Sequence, residues 1–390
     1  MKKSLVALAT LSMFGSAFAD VDVSGGIKLY GVLDQGYQSQ VLNNPYANVT
    51  SNYQGMFASN GTSRFGVKGL RDLGDGYKGF LQFEQELAPD ASTLLTASNR
   101  QAFVGFSNVN SGSILLGTQE TTAYEVWGMD VNGRVEYKPQ VWRTLTSVSL
   151  QDRANNAIKY ITPNLNGFTG HVMFGFAEIA STVAVGAPTP GSANSASEFG
   201  SIALKYKGDN LTAAVVHDQT SYIYQAYKFA GVSNAGVSTT TSLANSTTTL
   251  VYGDTSATAG TSFNTPTQRD IFALSYDFGG TIVNYIYGRS YQQDLAGSNT
   301  TNTVGIRKAF DKFTLAYSYG TGTVTTPNGS LSTKSTTIAG DGSTSDSTFG
   351  AYYNFDKSTQ VYLLASKSAS TVGYYDGSNQ TIALGGRYNF

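Results

Sequence analysis

The chain has 390 residues, with 25 Lys+Arg against 26 Asp+Glu and no cysteine. That balance excludes the basic footprint of a nucleic-acid binder, and the missing cysteine excludes disulfides, thiolate chemistry and Cys-based metal sites. Charged residues are 13% of the chain, about half the roughly 25% of a typical soluble domain. Glycine reaches 43 residues and tyrosine 25. Beyond the N-terminus no stretch approaches the ~20 apolar residues of a membrane helix. Composition alone leaves two classes open, a transmembrane β-barrel and a secreted β-rich soluble domain.

The first residues read as a cleaved leader rather than as fold. Lys2 and Lys3 make a positive n-region, Leu5 to Phe14 an apolar h-region, and Ala17-Phe-Ala19 a small-x-small cleavage site. The apolar run is too short to span a bilayer. Cleavage after residue 19 removes two lysines, leaving 23 Lys+Arg against 26 Asp+Glu, a formal charge of −3. The fold proper is then a single domain over 20–390.

Strict alternation fills the rest of the chain. Arg64, Gly66 and Lys68 oppose Phe65, Val67 and Gly69. Phe272, Leu274, Tyr276 and Phe278 oppose Ile271, Ala273, Ser275 and Asp277. Phe313, Leu315, Tyr317 and Tyr319 oppose Thr314, Ala316 and Ser318. At the end, Ile382, Leu384, Tyr388 and Phe390 share one face, and Thr381, Ala383, Gly385, Arg387 and Asn389 the other. Period two with one apolar and one small or polar face marks strands. The polar face carries Arg, Lys, Asp and Asn on many strands, which suits a wet interior and a lipid-facing exterior. Aromatic residues near strand ends (Tyr77, Phe80, Tyr206, Phe278, Tyr285, Phe310, Tyr353, Phe355, Tyr388, Phe390) suit interfacial girdles.

Turn signals divide the chain. Seven short ones begin with Asp72-Leu-Gly-Asp-Gly76 and Asn108-Val-Asn-Ser-Gly112 and end with Phe355-Asp-Lys-Ser-Thr359. Between them lie eight long polar segments, near 38–56, 88–98, 120–152, 181–197, 222–268, 293–300, 322–346 and 370–379. Fifteen connections predict 16 strands in an antiparallel up-and-down barrel, an all-β transmembrane fold whose first and last strands pair. A hairpin near Thr247–Tyr252 would raise the count to 18. Segment 222–268 is low in complexity. It reads as a surface loop, or as one that folds over the barrel mouth.

The third long segment stands apart. It covers about 118–152 and holds both tryptophans, Trp127 and Trp142, among many charges. It is far longer than the usual loop of ~4–6 residues. Our reading folds it into the lumen, where it sets what passes, with the tryptophans packing it on the inner wall.

Four stretches resemble a known family. They are Ser63-Arg-Phe-Gly-Val-Lys-Gly69 and its continuation to Glu84, Asn99-Arg-Gln-Ala-Phe-Val-Gly-Phe106 running to Gly117, Arg153 to Pro163, and the terminal Gly386-Arg-Tyr-Asn-Phe390. In that order and spacing they resemble Gram-negative general porins of the outer membrane, over the whole mature chain. The resemblance implies a 16-stranded barrel assembled as a homotrimer, with the third long loop in the lumen. It implies passive diffusion of ions and small hydrophilic solutes. Separately, no Gly-rich phosphate loop, His-x-x-x-His or EF-hand pattern appears, so no cofactor and no metal are expected. Partners implied are outer-membrane lipid and lipopolysaccharide, and the barrel-assembly machinery, which would read Phe390. By position, Arg64, Arg100 and Arg153 match the family's basic wall, and Glu120, Glu125 and Asp130 its acidic loop. Glu120 and Glu125 are expected across from Arg64 and Arg100. Thr118 stands where relatives commonly have an arginine.

Alternation supports the placement. Arg64 points inward opposite Phe65, and Arg153 shares a face with Asn155, Ala157 and Lys159. Lys28 and Asp34 share a face of the first strand and, with Lys68, are secondary lining candidates. Other classes compete: a substrate-selective channel, or a surface adhesin using segment 222–268. A hydrolase needs a nucleophile with a His partner. The two histidines, His171 and His217, have no Gly-x-Ser-x-Gly elbow near them, so no enzyme is expected.

Overall fold

The computed structural model describes residues 21–24, 26–44, 49–57, 63–91, 94–133, 152–176, 195–224, 238–243, 246–251, 267–292, 298–325, 342–371 and 377–390. The leader segment, Trp142 and most of 222–268 lie outside them.

Sixteen staves close into one antiparallel barrel. They are β1 (Ile27–Asn44), β2 (Val49–Phe57 continued as Arg64–Gly74), β3 (Tyr77–Leu87), β4 (Leu95–Asn108) and β5 (Gly112–Glu120). Next come β6 (Arg153–Ile161), β7 (Phe168–Gly175), β8 (Ser195–Lys207), β9 (Leu211–Tyr224), β10 (Thr267–Asp277) and β11 (Thr281–Gln292). The last are β12 (Ser298–Phe310), β13 (Phe313–Thr325), β14 (Gly342–Asn354), β15 (Thr359–Ser370) and β16 (Gly377–Asn389). Each pairs with its neighbour in sequence. The ring closes where β1 meets β16, from Val32↔Asn389 to Asn43↔Ser378. Closure matters because an open edge cannot exist in hydrocarbon.

The alternation sorts inside from outside as read. On β16, Ile382 and Leu384 are each 61% exposed on the outer face, while Thr381 and Ala383 are buried on the inner one. Phe80 departs from the girdle reading. It lies in the inward row with Gln82 and Glu84, and its ring meets Phe103 edge-on at 6.4 Å.

The hairpin near residue 247 exists, as Ser238–Leu243 paired with Ser246–Val251. It forms a separate two-stranded sheet and adds no stave: the 18 strands of the barrel sheet make 16 staves, because Val49–Phe57 and Arg64–Gly74 form one and Val21–Ser24 pairs back on Ile27–Leu29 of the first. The segment read as a loop over 38–56 is instead mostly strand. β1 runs on to Asn44 and pairs with Val49–Phe57. Segment 322–346 is likewise shortened, since β13 reaches Thr325 and β14 begins at Gly342. Backbone pairing needs no apolar alternation, so strands continue into polar sequence that lacks it.

Candidate functional site

Glu84 of β3 is the centre of the inner wall. Its carboxylate accepts from Arg100 Nε at 2.5 Å and from Tyr30 Oη at 3.0 Å, and it lies 3.1 Å from Arg64 Nε. Arg100 reaches inward because the β3–β4 register shifts twice, at Phe83/Gln85 and Gln85/Leu87. That bulge turns both Arg100 and Phe103 to the lumen, which strict period two forbids. Glu86 and Glu120 lie farther from Arg100, at 3.9 and 3.6 Å.

Arg153 joins the cluster from β6, 3.9 Å from Glu120. It does not fall in the row of Ala157 and Lys159, as alternation predicted. Asn156 sits at φ 48°, and the β5–β6 register shifts between Gly117 and Gln119. Ala154, Ala157 and Lys159 are therefore the buried row, and Asn155 is exposed. Thr118 pairs with Ala102 in the row of outward-facing Phe83, so it adds no charge to the wall.

A short helix, α1 (Thr122–Trp127), follows β5 directly. Thr121 caps it, its hydroxyl accepting from Tyr124 N at 3.3 Å. Ala123 and Val126, three apart and so on one face, are buried against Ala203, Ala214, Val216, Ile271, Ala273 and Ile286. These small and aliphatic residues are the inward row of β8 to β11, an apolar seat within a largely polar interior. Tyr124, Trp127 and Met129 pack at its margin, half-buried.

Glu125 corrects the expected pairing. It faces neither Arg64 nor Arg100. It bridges Lys159 Nζ and Lys205 Nζ, both at 2.5 Å. Burial alone would raise its pKa. The two ammonium groups and nearby His171 outweigh burial and hold it well below the usual carboxylate range. Asp130 is buried, and one of its oxygens accepts from Asn132 N at 2.9 Å. Asn132 then crosses to the far wall. Its amide donates to Ser318 Oγ at 3.0 Å and to the Thr348 carbonyl at 3.2 Å, and accepts from Tyr352 Oη at 3.0 Å. The chain from 121 to 133 thus lies along the inner wall from β6 to β14.

Of the secondary candidates, Asp34 is fully buried and holds the seam. It accepts from Arg387 Nε and Nη2 at 2.8 and 2.6 Å, and from Tyr362 Oη at 2.6 Å. Lys28 and Lys68 are cross-strand partners on the inner face, with Lys68 Nζ 4.1 Å from the centre of the Tyr30 ring. Sequence reading did not single out Glu84, Lys205 or Arg387 as site residues. Each was signalled only by its place on the polar face of an alternating strand.

Access differs from one charged pair to the next. Side-chain exposure is 18% for Arg64, 20% for Arg153, 21% for Lys205 and 29% for Arg387. It is 5% for Glu84, 11% for Glu120 and 0% for Asp34. Glu86 is 31% exposed. Glu125, at 24%, has both oxygens engaged by lysines. Arg64, Arg153 and Arg387 are each more exposed than the carboxylates they meet, whereas Arg100 at 6% and Lys159 at 3% are as buried as the anions.

A family model described as Gram-negative porin matches residues 4–380. "Outer membrane porin protein 32" of Delftia acidovorans is 31% identical over 189 residues, 46% of this chain and 50% of that protein. "Major outer membrane protein P.IB" of Neisseria lactamica is 29% identical over 179 residues, 45% of this chain and 50% of its own. The chain thus spans about half the length of the curated relatives it matches. Among solved structures, the anion-selective porin from Comamonas acidovorans superposes with a TM-score of 0.66 at 20% identity, covering 93% of this chain and 99% of that one. Salmonella typhi OmpF in complex with daunomycin gives 0.64 at 14% identity, covering 95% and 100%. A closed 16-stranded barrel with an apolar exterior and a charged inner wall, matched over nearly its whole length by one family model, belongs to the Gram-negative porins of the outer membrane.

Proposed function

We propose that this protein is a water-filled channel for passive diffusion of small hydrophilic solutes and ions, with a preference for anions. One observation carries the preference: Arg64, Arg153 and Arg387 are each more exposed than the carboxylates they meet, Glu84, Glu120 and Asp34. Low-dielectric walls focus such a field, and charge lining a pore tunes ion preference. In this reading Arg64, Arg100 and Arg153 form the basic wall, Lys205 extends it, and the segment from Thr121 to Gly133 narrows the lumen. Glu120, Glu125 and Asp130 serve mainly to hold cations and backbone in place. The test is the reversal potential of single channels in a KCl gradient. Anion preference should fall on replacing Arg64 and Arg153 together by glutamine. Cation preference in the parent protein would overturn the assignment.

The remaining expectations belong to the same proposal. Residues 1–19 form a cleaved export signal, and Phe390 is read by the assembly machinery before the barrel closes. The outer girdle contacts membrane lipid and lipopolysaccharide. Assembly is as a homotrimer, and one Vibrio cholerae OmpT neighbour is described as a trimer form. A hydrolase reading finds no support in the histidine geometry. His217 faces outward to Asp270 at 2.7 Å, and His171 is buried facing inward.

A further inference from the structure

The loop side of the constriction carries rings where the family resemblance led us to expect carboxylates. Glu125 is turned to the wall lysines, and Asp130 to the backbone of its own turn. What α1 leaves half-exposed at the margin of its apolar seat is Tyr124, Trp127 and, just beyond, Met129. Tyr124 joins the two sides. Its ring lies 5.8 Å from that of Trp127 at an interplanar angle of 57°, and Arg153 Cζ lies 5.5 Å from the ring centre. Arg153 in turn shares Glu120 with Arg100. Fixed guanidinium groups therefore stand next to an aromatic and thioether edge.

We propose that this juxtaposition is a binding station for organic monoanions with a planar apolar body, such as aromatic carboxylates. The carboxylate is recognised by the Arg153 guanidinium, whose planar fork matches its two oxygens. The ring of the solute lies against Tyr124 and Trp127, with Met129 supplying a polarisable contact. A small hydrated anion such as chloride or acetate uses only the first half of the site. The station therefore ranks anions by their bodies as well as by their charge. The proposal rests on the anion-preferring channel argued above and names a solute class for it.

The test compares benzoate with acetate, equal in charge, on single channels of the full protein in planar bilayers. Each is added to a chloride solution, and the concentration that halves chloride current is read. Benzoate should block at about threefold to tenfold lower concentration, the range of one aromatic contact. Trp127→Ala should bring the benzoate-to-acetate ratio towards one, and Trp127→Phe should keep most of it. A gel assay of heat modifiability confirms that each variant is a folded barrel. Equal block by the two acids in the parent protein, or a full ratio in Trp127→Ala, overturns the station. A channel that prefers cations would instead defeat the underlying anion reading, so the two failures are distinguishable.

Discussion

Phe390 lies on Gly31. The last residue of the chain exchanges two backbone hydrogen bonds with Gly31, at 2.8 and 3.1 Å, and its ring covers the glycine where any side chain would stand. A Cβ there would collide with the Phe390 ring and come within 2.9 Å of the Arg64 carbonyl oxygen, which belongs to the backbone and cannot turn away. On the lumen side the same seam is held by Asp34, Arg387 and Tyr362. Gly31→Val should therefore destabilise the closed barrel by about 1–3 kcal/mol, the usual cost of overpacking. It should lower the temperature at which the folded band is lost on a gel. Phe390→Ala in the same background should recover part of the loss, because the collision with the ring is removed. Additive losses in the double variant would refute the notch.

Glu84 predicts a split between structure and selectivity. It is 5% exposed and receives Arg64, Arg100 and Tyr30. Glu84→Gln keeps the shape but leaves two guanidinium groups close together without their shared anion. Removing one partner of a buried pair costs about 3–5 kcal/mol, so the variant should melt earlier. It should also become more anion-preferring, because the wall gains one net positive charge. Salt-gradient reversal potentials measure the second effect. A shift towards cations would contradict the charge placement.

The clamp on Glu125 has a definite pH sign. Its pKa in the folded protein is depressed. Its contribution is therefore complete above the ordinary carboxylate value near 4.3 and is lost as pH falls through the depressed folded value. Lys159, Lys205 and His171 face it. Channel conductance and noise should thus be flat from about pH 8 down to pH 5 as far as this clamp is concerned. Glu125→Gln should mimic strong acid at neutral pH, leaving Lys159 buried at 3% exposure with an unpaired charge. We expect noisier current and a loss of about 3 kcal/mol in stability. Quiet, parent-like current from Glu125→Gln would dismiss the clamp as a determinant of loop position.

The fold was legible where lipid imposes a pattern, and less so elsewhere. Ile382 and Leu384 face outward opposite Thr381 and Ala383 because a barrel wall has an apolar and a wet side, and that contrast is written residue by residue. At Gln38 to Asn44 both faces can be polar, so the strand left no mark and read as a loop. Within the site, Arg64 was legible because its strand keeps strict period two. Arg100 and Arg153 sit beside register shifts, and a one-residue shift inverts every face assignment beyond it. Glu125 was misassigned for a different reason. Its partners are 34 and 80 residues away, and nothing local says which cation on the wall a helical carboxylate will meet.

The far end of the inner loop supplies the last prediction. Asn132 makes three hydrogen bonds to the β13–β14 wall, to Ser318, Thr348 and Tyr352. Beside it, Val131 packs with Ala316, Tyr352 and Leu364. A buried amide that loses its partners costs about 1–3 kcal/mol for each group left unpaired. Asn132→Leu removes these bonds while keeping bulk, and leaves the Tyr352 hydroxyl without this acceptor. The tip should then detach from the far wall while α1 stays on its apolar seat, which does not depend on Asn132. Single-channel records should show an added level of fluctuation. The ion preference should hold, since the basic wall is built from β2 to β8. If Asn132→Leu instead shifts the reversal potential and leaves the noise unchanged, the tip acts on the charge cluster, and its role as a mechanical attachment is wrong.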